Sequence, residues 1–301
     1  MKKRNSLIEF YRFIFAMNVV KNHGYFPYQG SYFSPGSISV EFFFVLSGWF
    51  LRKSIDKYTN ISFWKGLGTM LKDKILSLGI PFAIGITCGV VYYFVNGLDT
   101  WWDFNIWGYL WYINDMFIVF IFYYVVRRLV KSEKWFFIIT ASVCLIASIF
   151  HAIPYFYSWG HFRAFSSMSL GILISYIPSI KLKRQWILYF PLIVVWAFVL
   201  RVLLFDFTFV EEEILDFIAY PAMIYLTFQL AADNKVFNYL GALSFGLYAY
   251  QCVPRIMCLF NYGNVWIWFF SILGLTILTD AIMRIIRYQR NKKQEAQLII
   301  K

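Results

Sequence analysis

Apolar residues in this chain come in long unbroken runs. They show neither the alternation of a half-buried strand nor the narrow stripe of a surface helix. A run of about 18 or more such residues is long enough to cross a hydrocarbon core as a helix. Runs of this kind occupy 7–23, 32–51, 75–95, 106–126, 135–153, 162–177, 186–205, 214–232, 236–259 and 265–286. The second and sixth are short or interrupted by polar residues. No useful length of strand alternation appears, which argues against a membrane barrel. The expected fold is an all-α integral membrane protein of about ten transmembrane helices. One membrane domain fills 1–288, and a basic tail follows at 289–301.

The composition points the same way. The 301 residues are 60% hydrophobic, 23% aromatic and only 15% charged, where a soluble domain is about one-quarter charged. Soluble enzymes, disordered chains and nucleic-acid binders are excluded on these values. The net charge of +12 then needs an explanation in terms of topology. All but five of the 28 Lys and Arg residues lie at the N-terminus, in the C-terminal tail, or in every second loop, as at Arg52, Lys72, Lys74, Arg127 and Lys183. The alternate loops, 24–31, 96–105, 154–161, 206–213 and 261–264, hold none. Such asymmetry places basic loops, and here both termini, in the cytoplasm. The positive charge therefore predicts contact with anionic membrane lipids, and no nucleic acid is implied.

Met1-Lys-Lys-Arg4 ahead of an apolar run has the look of a signal peptide, but no small-x-small cleavage site follows. It reads as an uncleaved first span. Cys88, Cys144, Cys252 and Cys258 all fall inside apolar runs without a C-x-x-C pair. They read as small buried hydrophobes, and no metal site is predicted.

The five remaining basic residues, Arg12, Lys21, Arg163, Arg201 and Arg255, lie within or at the ends of spans. A charge at membrane depth costs about 3 kcal/mol or more and is a functional candidate by default. Arg12 and His23 fall about 20° apart around a helix and about 16 Å apart along it, so both face one cleft from opposite ends. Lys21 lies on the other side and snorkels to the interface. Glu9, three residues before Arg12, is placed to pair with it. Arg12 thus has a structural reading, an ion pair, beside a functional one. In the second span Glu41 enters from the outer side at the depth of His23, and a carboxylate there orients an imidazole. Ser47-Gly48 reads as a close-packing site. Arg163, at the outer start of the sixth span beside His161, is an interfacial anchor or a cation that holds an acceptor or an oxyanion.

Arg12-x10-His23 followed by Val40-Glu41-Phe-Phe-Phe-Val-Leu-Ser47-Gly48-Trp49 resembles the first two helices of the membrane acyltransferase-3 family. Further likenesses are Leu110-Trp111-Tyr112 at the outer start of the fourth span, Lys72-Asp-Lys74 through Pro81, and Arg163-x-Phe165 with Gly171. Two departures stand out. Glu41 replaces the family's usual Asp, and Gln251 stands where the family has His in a Ser-Tyr-x-x-Tyr-x-x-His run. The resemblance implies an O-acyltransferase of a bacterial plasma membrane that acylates glycans. Acetyl-CoA, or another acyl-CoA, is the donor substrate, and no permanently bound cofactor is implied. His23 is then the catalytic base and Glu41 its orienter. Arg12, Lys72 and Lys74 serve the donor, while Trp111, Tyr112, Arg163 and Gln251 are acceptor-side candidates.

The outer segments are rich in aromatics, Trp101, Trp102, Trp107, Trp111 and Tyr112 among them. Such residues form an interfacial belt or stack on sugar rings, with Asp99, Asp103, Asp115, Asp206 and Glu211–Glu213 as hydroxyl acceptors. A rival class is a transporter or flippase of a lipid-linked saccharide or other amphiphile, which would use similar residues. Transporters are often built from detectable internal repeats, and no repeat of the first-span motif is evident.

Overall fold

The protein is seen in a computed structural model that describes residues 5–22, 35–96, 106–153, 160–180, 184–205, 208–250 and 265–299. Helices account for all regular structure among these residues, as expected of apolar runs that must satisfy their own backbone hydrogen bonds. They are α1 (Ser6–Asn22), α2 (Pro35–Ser54), α3 (Asp56–Thr59), α4 (Phe63–Asn96), α5 (Ile106–Leu129), α6 (Glu133–Ala152) and α7 (Gly160–Ile174). A 3-10 turn, Gln185–Leu188, leads into α8 (Tyr189–Leu204). α9 (Phe209–Ile214) passes through a π-turn (Leu215–Ala219) into α10 (Tyr220–Gln229), and α11 (Lys235–Ala249) and α12 (Val265–Ile299) follow.

Each of the ten apolar runs coincides at least in part with described helix. Three stretches are long and apolar enough by themselves to cross a membrane: Glu133–Ala152, Gln185–Leu204 and Phe269–Ile286. Several boundaries differ from expectation. α4 begins at Phe63, ahead of the apolar run, and carries Pro81 inside it. α12 continues through the basic tail to Ile299.

α2 packs along α7, α1 lies between α2 and α11, and α6 covers the other side of α7. Two glycines make the α2–α7 crossing close. A methyl at Gly171 would collide with the Val45 carbonyl, and one at Gly48 with the Met168 carbonyl. Backbone-to-backbone approach of this kind is what small residues permit between apolar helices.

The basic ends of the helices meet in one charged layer. Arg127 binds Asp56 at 2.7 Å and Glu133 at 2.6 Å, and Arg52 reaches the same Glu133 at 2.7 Å. Lys57 and the Tyr58 hydroxyl both donate to Asp73, at 3.0 and 2.9 Å, which ties α3 to α4. These hydrogen bonds, Lys57 first, hold Asp73 below the usual carboxylate range. Glu41 is eleven residues before Arg52 on α2, or about 16 Å away along the helix. The two sit toward opposite ends of the bundle.

Candidate active site

Glu41 is 1% exposed and enters from the first half of α2. Its two oxygens are claimed by α7: Arg163 Nε donates to Oε1 at 2.5 Å and Ser167 Oγ to Oε2 at 2.5 Å. Four residues separate Arg163 from Ser167, one helical turn, so both side chains face α2. Arg163 is itself buried and reaches Glu212 at 3.9 Å. Its guanidinium also lies 5.8 Å from the centre of the Trp111 ring on α5.

Three more carboxylates lie in the surroundings of this pair. Glu212, Glu213 and Asp216 lie within electrostatic range of Arg163 and Glu41, and Glu212 and Asp216 are buried. Sequence reading placed Glu211–Glu213 in an outer loop, and the structure corrects this. The Thr208 hydroxyl and the Glu211 side chain form a reciprocal capping box, so a helix starts at Phe209. That start turns Glu212 inward while Glu211 stays at the helix end. The π-turn follows at once and carries Asp216. Single π-turns inside α-helices occur often at functional sites. The Asp216 Oδ1 atom and the Tyr220 hydroxyl have no hydrogen-bond partner among the described residues.

His151, in the last turn of α6, is 3% exposed and within electrostatic range of both Glu41 and Arg163. The sequence reading singled out neither His151 nor Ser167 nor Asp216. An ionisable residue inside an apolar run was the available signal for His151 and Asp216. Ser167 had none, since its importance comes from the partner it meets.

At the other end of the bundle, Arg12 binds Glu9 at 2.8 Å, the structural partner foreseen for it. Its charge also acts on Tyr112 of α5. Tyr112 is buried, its hydroxyl lies 3.3 Å from Ser47 Oγ, and its ring stands edge-on to Tyr248 at 5.5 Å. Ser47, Tyr112 and Tyr248 therefore meet where α2, α5 and α11 come together.

Below Glu9 opens a cavity of about 1100 Å³, whose lining sets Lys53, Lys57 and Lys74 beside Glu9, Asp73 and Asp233, with Trp49 among its apolar walls. The Lys53 ammonium sits 4.0 Å above the Trp49 ring, which stacks on Phe228. The Lys74 ammonium lies 4.2 Å from the Phe120 ring centre. Burial, with the charge of Lys57 acting the same way, lowers Lys74 to about 8. Lys72 is exposed and outside this lining. The structure thus separates two lysines that the sequence reading paired, and sets Lys53 and Lys57 beside Lys74 instead. His23 and Gln251 lie outside the described residues. No cluster of His, Cys, Asp and Glu among the described residues is arranged to hold a metal ion.

Chemically, one end offers ammonium groups, carboxylates and an aromatic face in a roomy cavity, where Lys53 and Lys74 are the groups suited to an anion. The other offers buried carboxylates around one guanidinium, which suits hydroxyl groups. A family model described as an acyltransferase domain matches residues 7–284. No curated protein and no solved structure matches the chain.

Proposed function

The chain belongs to the acyltransferase-3 family, whose model covers nearly its whole length, and from that premise we propose that it moves an acyl group, acetyl, from cytosolic acyl-CoA to a hydroxyl of a cell-surface or lipid-linked glycan. Ten helical passes with both termini in the cytoplasm put the lysine-lined cavity on the donor side. The Glu41–Arg163 cluster then faces the acceptor side. The observation that carries this reading is the pairing of a cavity that sets the Lys53 and Lys74 ammoniums beside aromatic faces at one end with a carboxylate-rich cluster about Arg163 at the other.

In this scheme Lys53 and Lys74 hold the phosphates of the donor, Lys57 stays with Asp73 in the cavity wall, and Arg12 guides the thioester toward the interior. His23, eleven residues beyond Arg12, receives the acyl group or takes the proton of the acceptor hydroxyl. Glu41 orients His23. A carboxylate has about four lone-pair sites, so the hydrogen bonds from Arg163 and Ser167 leave it able to accept another.

The test is transfer of labelled acyl from acyl-CoA to glycan in membrane vesicles, with expression matched across variants. His23→Ala is expected to lower the rate by about 10²–10⁴-fold, the usual value of general-base assistance. Arg12→Ala is expected to raise the donor KM, and excess donor partly restores its rate. Lys74 supplies a pH signature. Its ammonium is present below about 8 and lost above, so donor KM rises as pH passes through that value. Lys74→Arg abolishes the rise because Arg stays protonated. A wild-type His23→Ala rate, or a pH-independent donor KM, would overturn the assignment.

A further inference from the structure

A second imidazole stands at the outer end of the bundle in a setting of its own. His161 opens α7, and its Nδ1 lies 2.5 Å from Asp115 Oδ1 on α5. The two side chains differ sharply in exposure, 58% for His161 against 4% for Asp115. A buried carboxylate therefore grips one edge of a ring whose body is open. The packing around this pair is tight. A Cβ at Gly160 would meet Asp115 Oδ2 at 2.5 Å and the Trp111 ring at 2.6 Å, so the backbone before His161 must approach α5 without a side chain. Trp111 sits between this pair and Arg163, whose guanidinium lies over the same ring. Asp115 also acts electrostatically on Tyr248, which stands against Tyr112.

A hydrogen bond from Nδ1–H to a carboxylate fixes the tautomer that leaves Nε2 as a proton acceptor. An open Nε2 backed by a buried carboxylate is how a general base for a hydroxyl is built. The proposed relay calls for one. If His23 carries the acyl group, its acylated nitrogen no longer accepts a proton, and attack by the acceptor hydroxyl needs another base. We infer that His161, held by Asp115, is the base that takes the proton of the acceptor hydroxyl as its oxygen attacks the acyl carbonyl. The O–acyl bond forms, and the bond from the acyl carbon to the group that carried it breaks. The electron pair stays on that group, and the proton on His161 Nε2 passes to water at the outer face. The CoA thiolate, released at the cytosolic end, takes its proton from the cytosol, so the sum is acyl-CoA plus hydroxyl to ester plus CoA thiol. The inference rests on the acyl-transfer reading above.

The experiment is the vesicle assay with labelled acetyl-CoA and the isolated cell-surface glycan, run on the full chain and on His161→Ala, His161→Gln and Asp115→Asn. His161 is exposed, so its variants are expected to fold, and the level of membrane-extracted protein verifies it. Loss of transfer by about 10²–10⁴-fold with unchanged donor KM is expected in both His161 variants, with a smaller loss in Asp115→Asn. Millimolar imidazole in the outer buffer is expected to restore part of the His161→Ala rate, a recovery no packing role predicts. Wild-type kcat in His161→Ala while the parent protein transfers would overturn the inference and leave the acyl-transfer reading standing. Loss accompanied by a raised donor KM and no response to imidazole would also overturn it, in favour of a structural pair. A parent protein that moves no label to any hydroxyl would overturn both.

Discussion

α7 and α8 are of nearly equal length, 15 and 16 residues, and they are built inside out relative to each other. α7 buries Arg163, Ser166, Ser167, Ser169 and Gly171. α8 exposes Phe190, Ile193, Val194 and Leu204. The stretch leading through α8 is among the three that are long and apolar enough to cross a membrane, while α7, at 15 residues, is shorter than such a span. Those three stretches are also little covered by protein, at 28%, 28% and 17% buried. The apolar side chains of these three stretches are thus largely left uncovered by the other helices. A helix enclosed by other helices needs no apolar surface, and its polar atoms are satisfied by neighbours. The candidate site lies among such helices.

The largest test of this contrast removes a counter-charge from the enclosed side. Glu41→Ala leaves Arg163 buried without its nearest partner, and breaking a buried pair from one side costs about 3–5 kcal/mol. Thermal unfolding in detergent is expected to show that loss, together with loss of acyl transfer. A stability equal to that of an α8 surface variant would break the comparison. Arg163→Lys is the next step down, since it keeps the charge but loses the planar fork that reaches Glu41 and Glu212 together. Losing one charge-assisted hydrogen bond is expected to cost about 1.5–3 kcal/mol. Wild-type activity in that variant would reduce Arg163 to a bare charge.

Gly171→Ala probes the seam itself. The added methyl meets the Val45 carbonyl, and overpacking of this kind costs about 1–3 kcal/mol. Gly48→Ala on the facing helix is expected to match it, and unequal losses would show that the two glycines do not share one contact. At the small end, Phe190→Leu on α8 changes a ring that is 75% exposed, and a shift within about 0.5 kcal/mol is expected. A larger shift would mean that α8 meets a surface other than lipid.

The sequence made most of this architecture legible, because long apolar runs have one outcome in a membrane. Arg163 and Glu41 were visible as charges in those runs. Their mutual contact was not, since 122 residues separate them and no local pattern encodes it. Glu212 looked like a loop residue because three adjacent glutamates read as solvent-facing. The capping box that turns Glu212 inward was itself present in Thr208 and Glu211. Lys72 and Lys74 looked equivalent two residues apart. On a helix that spacing turns side chains by about 200°, so only one of the two faces the cavity.

The gap of 122 residues between Arg163 and Glu41 also bears on how the protein is made. At about 5–20 residues per second of synthesis, α2 emerges roughly 6–24 s before α7. During that interval Glu41 waits at or in the bilayer without the guanidinium that will hold it, at a standing cost of about 3 kcal/mol. The early helices are therefore the vulnerable stage of biogenesis. A ribosome paused between α2 and α7 would expose a membrane intermediate bearing an unmatched charge, ready to be recognised by the insertion machinery or by the proteases that patrol it.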